Sequence, residues 1–206
     1  MCFHFNNLGC SYRRVIDRLA KNREGAGHSE RVLVFLWGET GHETPVPKLS
    51  AGILLFRKRP AGVQVLLVHP GGPFWANKDE GAWSIPKGLA DEAEDLLAAA
   101  KREFFEETGA TISGEFIDLG AHKQPGGGKM IVAWGCESGF DPELLKSNTF
   151  TIEWPPRSGK TAEFPEVNRA GWFSFEEALK KATNGQRPII AALAEKLGIK
   201  PAKVSR

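Results

Sequence analysis

Three glutamates, Glu103, Glu106 and Glu107, close the stretch from Trp83 to Ala110, WSIPKGLADEAEDLLAAAKREFFEETGA. Successive residues of an α-helix turn by about 100°, so positions three and four apart share a face. Glu103 therefore lies beside both Glu106 and Glu107. Like charges at that spacing destabilise a bare helix. A helix that collects them leaves them in water or gives them a cation, and hard divalent cations take carboxylate oxygens, often shared with substrate phosphates. Leu97, Ala100 and Phe104 form an apolar stripe on another sector of the same helix. Such a helix packs on a sheet and still presents its acids to a cleft. Asp91 and Glu94 have capping-box spacing, which predicts a helix from there to Thr108, with Gly109 at the left-handed position beyond it.

A pair of adjacent glutamates alone reads as a solvated face. Here the acids come in a longer pattern: Gly88, five residues, Glu94, seven residues, Arg102-Glu103, apolar Phe104, one residue, Glu106-Glu107, one residue, Gly109-Ala110. This resembles the Nudix box, with every defining Gly, Glu and Arg at its spacing. Ala110 is smaller than the aliphatic residue usual at that position, and Ala93 stands where many members have Gly. The resemblance implies the Nudix fold, an α/β/α sandwich with a mixed β-sheet, over roughly residues 47–200. It also implies hydrolysis of a phosphoanhydride in a nucleoside diphosphate-linked substrate with Mg²⁺, for which Mn²⁺ can substitute. Carried over residue by residue, the metal ligands are the Gly88 carbonyl, Glu103, Glu106 and Glu107. Glu106 doubles as a water-orienting base, and Arg102 pairs with Glu94 to steady the loop and the helix. Lys87, before the box glycine, is a sensible point-charge partner for the phosphate, with a merely solvent-exposed lysine as the alternative. The run W-S-I-P-K-G is closer to the diadenosine polyphosphate hydrolases of the family than to its triphosphatases. Members of the family often take a further acid from outside the box. The candidates are Glu163 and Glu166, and Glu166 is favoured. The catalytic set is thus Glu106, Arg102, Lys87 and Glu166.

Around this stretch, Ser50–Arg57 and Val63–His69 read as a β-hairpin turning at Arg59-Pro60-Ala61-Gly62. Phe74 and Trp75 look exposed in a loop, and Trp83-Ser84-Ile85 reads as a short strand. Further strands are expected at 115–122, 130–137, 149–154 and 170–173. A helix begins at the Ser174/Glu177 capping box, and a last one runs from Pro188 to Gly198. Lys129, Arg157 and Lys160 are loop cations fit to meet a polyphosphate or to solubilise. Trp75, Trp83, Trp134 and Trp154 offer aromatic faces for a base, though core packing is the commoner fate of each. Residues 1–45 lack periodicity and are expected to be a poorly ordered extension, with a short basic helix at 12–21 and a strand at 31–37 as its only candidates. Val46 is a candidate true start. Residues 46–206 then form the catalytic domain.

Composition sets limits. A chain of 206 residues supports one domain with a real core. A formal charge of +2 gives no strong pull on nucleic acid or membrane, and no apolar run approaches a membrane span. Three cysteines, Cys2, Cys10 and Cys136, point to a reducing compartment and a cytoplasmic location. The expected partner is a small nucleotide substrate, probed most directly with dinucleoside polyphosphates and nucleoside triphosphates. The alternatives are a regulatory nucleotide-binding module and a pyrophosphohydrolase of RNA 5′ ends, which the modest charge ranks lower. The base, the number of phosphates and the oligomeric state are not written in the sequence.

Overall fold

The computed structural model describes residues 48–199, apart from 92, 127 and 128. The extension over 1–45, the helix and strand read within it and the start at Val46 lie outside the described residues.

The strands β1 (Lys48–Arg59), β2 (Gly62–Pro70), β3 (Lys87–Leu89), β4 (Phe116–Lys123), β5 (Lys129–Glu137) and β8 (Val167–Ser174) make one six-stranded sheet. Its order is β4-β5-β1-β2-β8, with β3 beside β1. β1 and β5 run parallel and every other pair is antiparallel, so the sheet is mixed. The β1–β2 hairpin turns at Pro60-Ala61, where proline and small residues favour it. β1 pairs with β2 only over Phe56–Arg59, then leaves it. The segment 83–89 fills the fork. It joins β2 through a Val68–Ser84 bridge and β1 through Gly52–Lys87, Ala51–Gly88 and Ser50–Leu89. Gly52 permits this approach, since a methyl group there would meet the Lys87 Cβ at 2.6 Å and the Pro86 carbonyl at 2.8 Å.

Side chains along the central strands alternate between two cores, as a period of two requires. Ile53, Leu55 and Leu66 pack with Ala99, Ala100 and Phe104 of α1 (Leu96–Thr108) on one face. Leu54, Phe56, Val65 and Leu67 pack with α2 (Phe175–Lys181) and α3 (Arg187–Lys196) on the other. The result is the expected α/β/α sandwich. α2 carries the expected capping box, Ser174 with Glu177.

Four local readings change. The short strand expected at Trp83–Ile85 makes only single bridges, because β1 offers its free edge at Ser50–Gly52, opposite Lys87–Leu89. α1 starts at Leu96 and not near Asp91: the Asp95 carboxylate accepts from the Leu97 and Ala98 amides, each at 3.1 Å, while Glu94 is drawn to Arg102. Its buried stripe is accordingly Leu96, Ala99, Ala100 and Phe104, with Leu97 only half-buried. Trp75 is half-buried against the core and not exposed, whereas Phe74 is exposed as expected. β6 (Thr149–Glu153) gains an unforeseen partner, β7 (Thr161–Pro165), in a separate hairpin. Among the described residues no helix is long and apolar enough to cross a membrane.

Candidate active site

The last two turns of α1 lie against β3. Glu103 reaches Gly88 so closely that a methyl group on Gly88 would overlap the Glu103 carboxylate. Glu107 sits one turn on, buried, and accepts the Lys87 backbone N–H at 3.3 Å. The fork in the sheet thus delivers Lys87 and Gly88 to the helix acids, the juxtaposition that the resemblance of the box implies.

Arg102 is the hub of the acidic face. Its Nε and Nη2 donate to both oxygens of Glu94 at 3.0 and 2.9 Å, a bidentate pair. Nη1 donates to Glu103 at 2.8 Å and to Glu106 at 3.2 Å, and Nη2 also donates to the Leu89 carbonyl at 3.0 Å. The expected Arg102–Glu94 pair is present, and it clamps the loop after β3 to the helix. Hydrogen bonding from Arg102 holds the Glu94 carboxyl below its ordinary value. The same contacts, Glu94 foremost, raise the guanidinium further above its ordinary value.

Glu107 is left out of this network: among the described residues it has no ion pair. Burial pushes its carboxyl up to about 7, opposed by the Lys87 charge and amide and reinforced by Glu103 and Glu166. Burial also raises Glu103, with Arg102 and Lys87 pulling the other way. Lys87 is therefore electrostatically coupled to both acids.

Glu166 reaches this neighbourhood through the backbone. The Asn148 N–H donates to the Glu106 carbonyl, the Glu166 N–H to the Asn148 carbonyl, and the Gly71 N–H to the Glu166 carbonyl, each at 2.8 Å. This relay ties α1, the root of the β6–β7 hairpin, Glu166 and the loop after β2 into one unit. Sequence reading missed Asn148 and Gly71, whose contributions are main-chain bonds that leave no side-chain signature. Glu163, the other acid candidate, points along the hairpin and accepts from the Thr149 hydroxyl. Trp83 is core, with its Nε1 donating to Asp79 at 2.9 Å. Trp75, Trp134 and Trp154 are half-buried. Lys129, Arg157 and Lys160 are exposed.

Among the described residues no group of three or more His, Cys, Asp or Glu side chains closes into a metal cage, since Arg102 draws Glu103 and Glu106 toward itself. The donors nevertheless fit a hard divalent cation. They are carboxylate oxygens, and Glu107 is a buried acid near Glu103 and Glu166 that forms no ion pair among the described residues, although the Lys87 charge acts on it.

The NUDIX domain model matches residues 46–193. An RNA pyrophosphohydrolase of Caulobacter vibrioides is 44% identical over 54 residues, 24% of this chain and 31% of that protein. The chain spans less than half the length of the curated relatives it matches. Among solved structures, the NUDIX domain of Shewanella oneidensis NrtR, complexed with ADP-ribose, superposes with a TM-score of 0.53 at 18% identity, covering 82% of this chain and 98% of that one. A binary complex of the C. elegans Ap4A hydrolase gives a TM-score of 0.50 at 20% identity, covering 73% and 98%.

Proposed function

The chain belongs to the NUDIX family over residues 46–193, and from that premise we propose that it is a cation-dependent pyrophosphohydrolase of nucleoside diphosphate-linked compounds, dinucleoside polyphosphates first among them. The observation that carries the reading is Glu107: a buried carboxylate that forms no ion pair among the described residues, beside Glu103 and Glu166, opposite Lys87 and Gly88.

Glu103, Glu106, Glu107 and the Gly88 carbonyl would hold Mg²⁺ or Mn²⁺, which when bound neutralises phosphate oxygens and makes a water more acidic. Lys87 adds a fixed positive charge at the same edge, where negative charge grows on the phosphoryl group in the transition state. Glu106, half-exposed at the rim, and Glu166, held by the main-chain relay, are the bases that can take the proton of the attacking water. Arg102 touches no substrate in this reading; it positions Glu103, Glu106 and the loop after β3. Retention of every box acid favours turnover over a purely regulatory role. The 54-residue match to an RNA pyrophosphohydrolase supports a second reading, removal of pyrophosphate from RNA 5′ ends by the same acids.

The test is a phosphate-release screen over diadenosine polyphosphates, nucleoside triphosphates, ADP-ribose and 5′-triphosphorylated RNA. Turnover is expected to vanish with EDTA and return with Mg²⁺ or Mn²⁺, because the donors are hard oxygens. Undiminished turnover in chelator would sink the mechanism, and exclusive action on RNA would replace the first reading by the second. Lys87→Ala should lower kcat by roughly 10²-fold with a smaller change in KM, since its charge matters most in the transition state. A change in KM alone would make Lys87 a ground-state contact.

A further inference from the structure

Glu166 sits at an irregularity in the sheet. β2 and β8 pair His69 with Arg169 and Pro70 with Val167, which leaves Asn168 without an opposite residue, a bulge of the kind that re-aims side chains. Pro70 has no N–H to give to the ladder. The chain also bends at Glu166 itself, between β7 and β8. Glu166 is exposed, so burial does not hold it either. Its placement depends on bonds from outside the ladder, and they come from the two residues before β6. The Glu166 N–H donates to the Asn148 carbonyl at 2.8 Å, and the next N–H, that of Val167, donates to the Ser147 Oγ at 3.0 Å. The Ser147 hydroxyl in turn donates to the Asn148 carbonyl at 3.0 Å, which closes the bonds into a ring. In a regular strand successive N–H groups point to opposite edges. Here both turn to the same dipeptide.

That dipeptide is moored to the helix that carries the acids. The Lys146 N–H donates to the Thr108 carbonyl at 3.0 Å and the Asn148 N–H to the Glu106 carbonyl at 2.8 Å, both at the C-terminal end of α1. Ser147 lies between these two anchors. Gly109, just past α1, is pressed on the same segment, for an added methyl there would stand 2.8 Å from the Lys146 Cβ. From the other side the Gly71 N–H donates to the Glu166 carbonyl at 2.8 Å. Glu166 is also coupled electrostatically to Glu107. Of the bonds named here, only those of Ser147 use a side chain. Resting on the reading above in which Glu166 takes the proton of the attacking water, we propose that Ser147 is a positioning residue: its hydroxyl ties the Glu166 main chain to the end of α1 and so sets the Glu166 carboxylate against the acids of that helix.

Steady-state hydrolysis with Mg²⁺ tests the assignment in Ser147→Ala, Glu166→Gln and the double variant, on diadenosine tetraphosphate or whichever compound of the phosphate-release screen is turned over. Glu166→Gln should lower kcat roughly 10²-fold, as loss of a general base implies. Ser147→Ala should lower kcat roughly ten-fold with KM within about two-fold, since Glu166 is displaced but not removed. The double variant should be no slower than Glu166→Gln, because Ser147 acts through Glu166. Ser147→Thr keeps the hydroxyl and should restore most of the rate, whereas Ser147→Val, of threonine's shape without the hydroxyl, should not. That pair carries the comparison if the alanine variant fails to fold. Ser158→Ala, which removes a hydroxyl that accepts the Lys160 N–H at 3.2 Å in the turn between β6 and β7, should leave the rate unchanged. Exchange of the Val167 amide hydrogen, which needs no turnover to be read, should quicken about ten-fold in Ser147→Ala. An alanine variant with wild-type kcat, or a double variant about ten-fold slower than Glu166→Gln, would overturn the role. Near-normal turnover of Glu166→Gln would overturn it too, and would leave the hydrolase standing with Glu106 as its base. Wild-type protein inert toward every substrate of the screen would defeat the functional reading, and faster exchange in Ser147→Ala would then mark a purely structural contact.

Discussion

Glu107→Gln is expected to lower hydrolysis by at least about 10²- to 10³-fold while leaving the fold intact. Gln keeps the length and helix propensity of Glu, and its carbonyl can still accept the Lys87 N–H. What it removes is a negative charge in a buried position. That charge has a measurable cost in the cation-free protein. Below the ordinary glutamate range the carboxyl is protonated in folded and unfolded chains alike. Between that range and about 7 the unfolded chain releases the proton while the folded one retains it. The folded state then binds more protons, so stability falls as pH rises through this window and stays low above it. Cation-free wild type should lose on the order of 3 kcal/mol of stability between pH 4.5 and pH 8. The variant should lose much less and be the more stable protein at pH 8. Added Mg²⁺ should reverse the order by stabilising wild type more. Chemical denaturation at several pH values, with and without Mg²⁺, measures all three expectations. Glu143→Gln, at an exposed acid on the turn Pro142–Leu144, should change none of them. Near-normal turnover of Glu107→Gln would refute its place as a cation ligand, and unfolding would make the acid structural.

How the site could be read before the structure follows from where its parts lie in the chain. Glu103 and Glu107 are one helical turn apart on α1, so helical spacing carries their geometry, whereas Glu94 lies before the helix and its pairing with Arg102 is what the resemblance of the box implies. The two-sided core was equally accessible, because Ile53, Leu54, Leu55 and Phe56 form an unbroken apolar run that a strand covered on both faces requires. The helix start was misplaced because two signals compete. Asp91 and Glu94 have capping-box spacing, and the Asp91 N–H does donate to Glu94. Asp95, directly before Leu96, makes the better cap, and the claim of Arg102 on Glu94 decides between them. The segment 83–89 was read as strand then loop because its pairing depends on where β1 and β2 part, a tertiary event. β7 escaped notice because TAEFP has few apolar residues and ends in proline. The relay through Asn148 and Gly71 consists of main-chain bonds between segments far apart in sequence, which no side-chain pattern announces.

Gly88→Ala should reduce activity by about 10²-fold with only a modest change in stability. Gly88 does not hold a positive φ, so alanine is allowed by the backbone itself. The obstacle is the Glu103 carboxylate, which lies where the new methyl would go. Either β3 moves or the carboxylate does. β3 is held through its pairing with Ser50–Gly52 and through the close fit of Gly52 against Lys87, so a strand shift disturbs the centre of the sheet. The carboxylate is the end of a side chain, tethered by one Arg102 bond at 2.8 Å, and is the softer element. It should therefore swing away, carrying Glu103 off its position by an ångström or more. Misplacement of that size typically costs about 10²-fold in rate. Stability should change by only about 1 kcal/mol, the common scale for a substitution without a core cavity. Gly139→Ala, where a methyl group meets nothing within 4 Å, should leave both rate and melting temperature unchanged. The discriminating measurement is titration of Mn²⁺ into both variants, read by restoration of turnover. Gly88→Ala should need more Mn²⁺ than wild type and recover only part of its rate, whereas Gly139→Ala should titrate like wild type. Full recovery of Gly88→Ala at the wild-type Mn²⁺ concentration would mean that the contact between Gly88 and Glu103 does not set the geometry of the site.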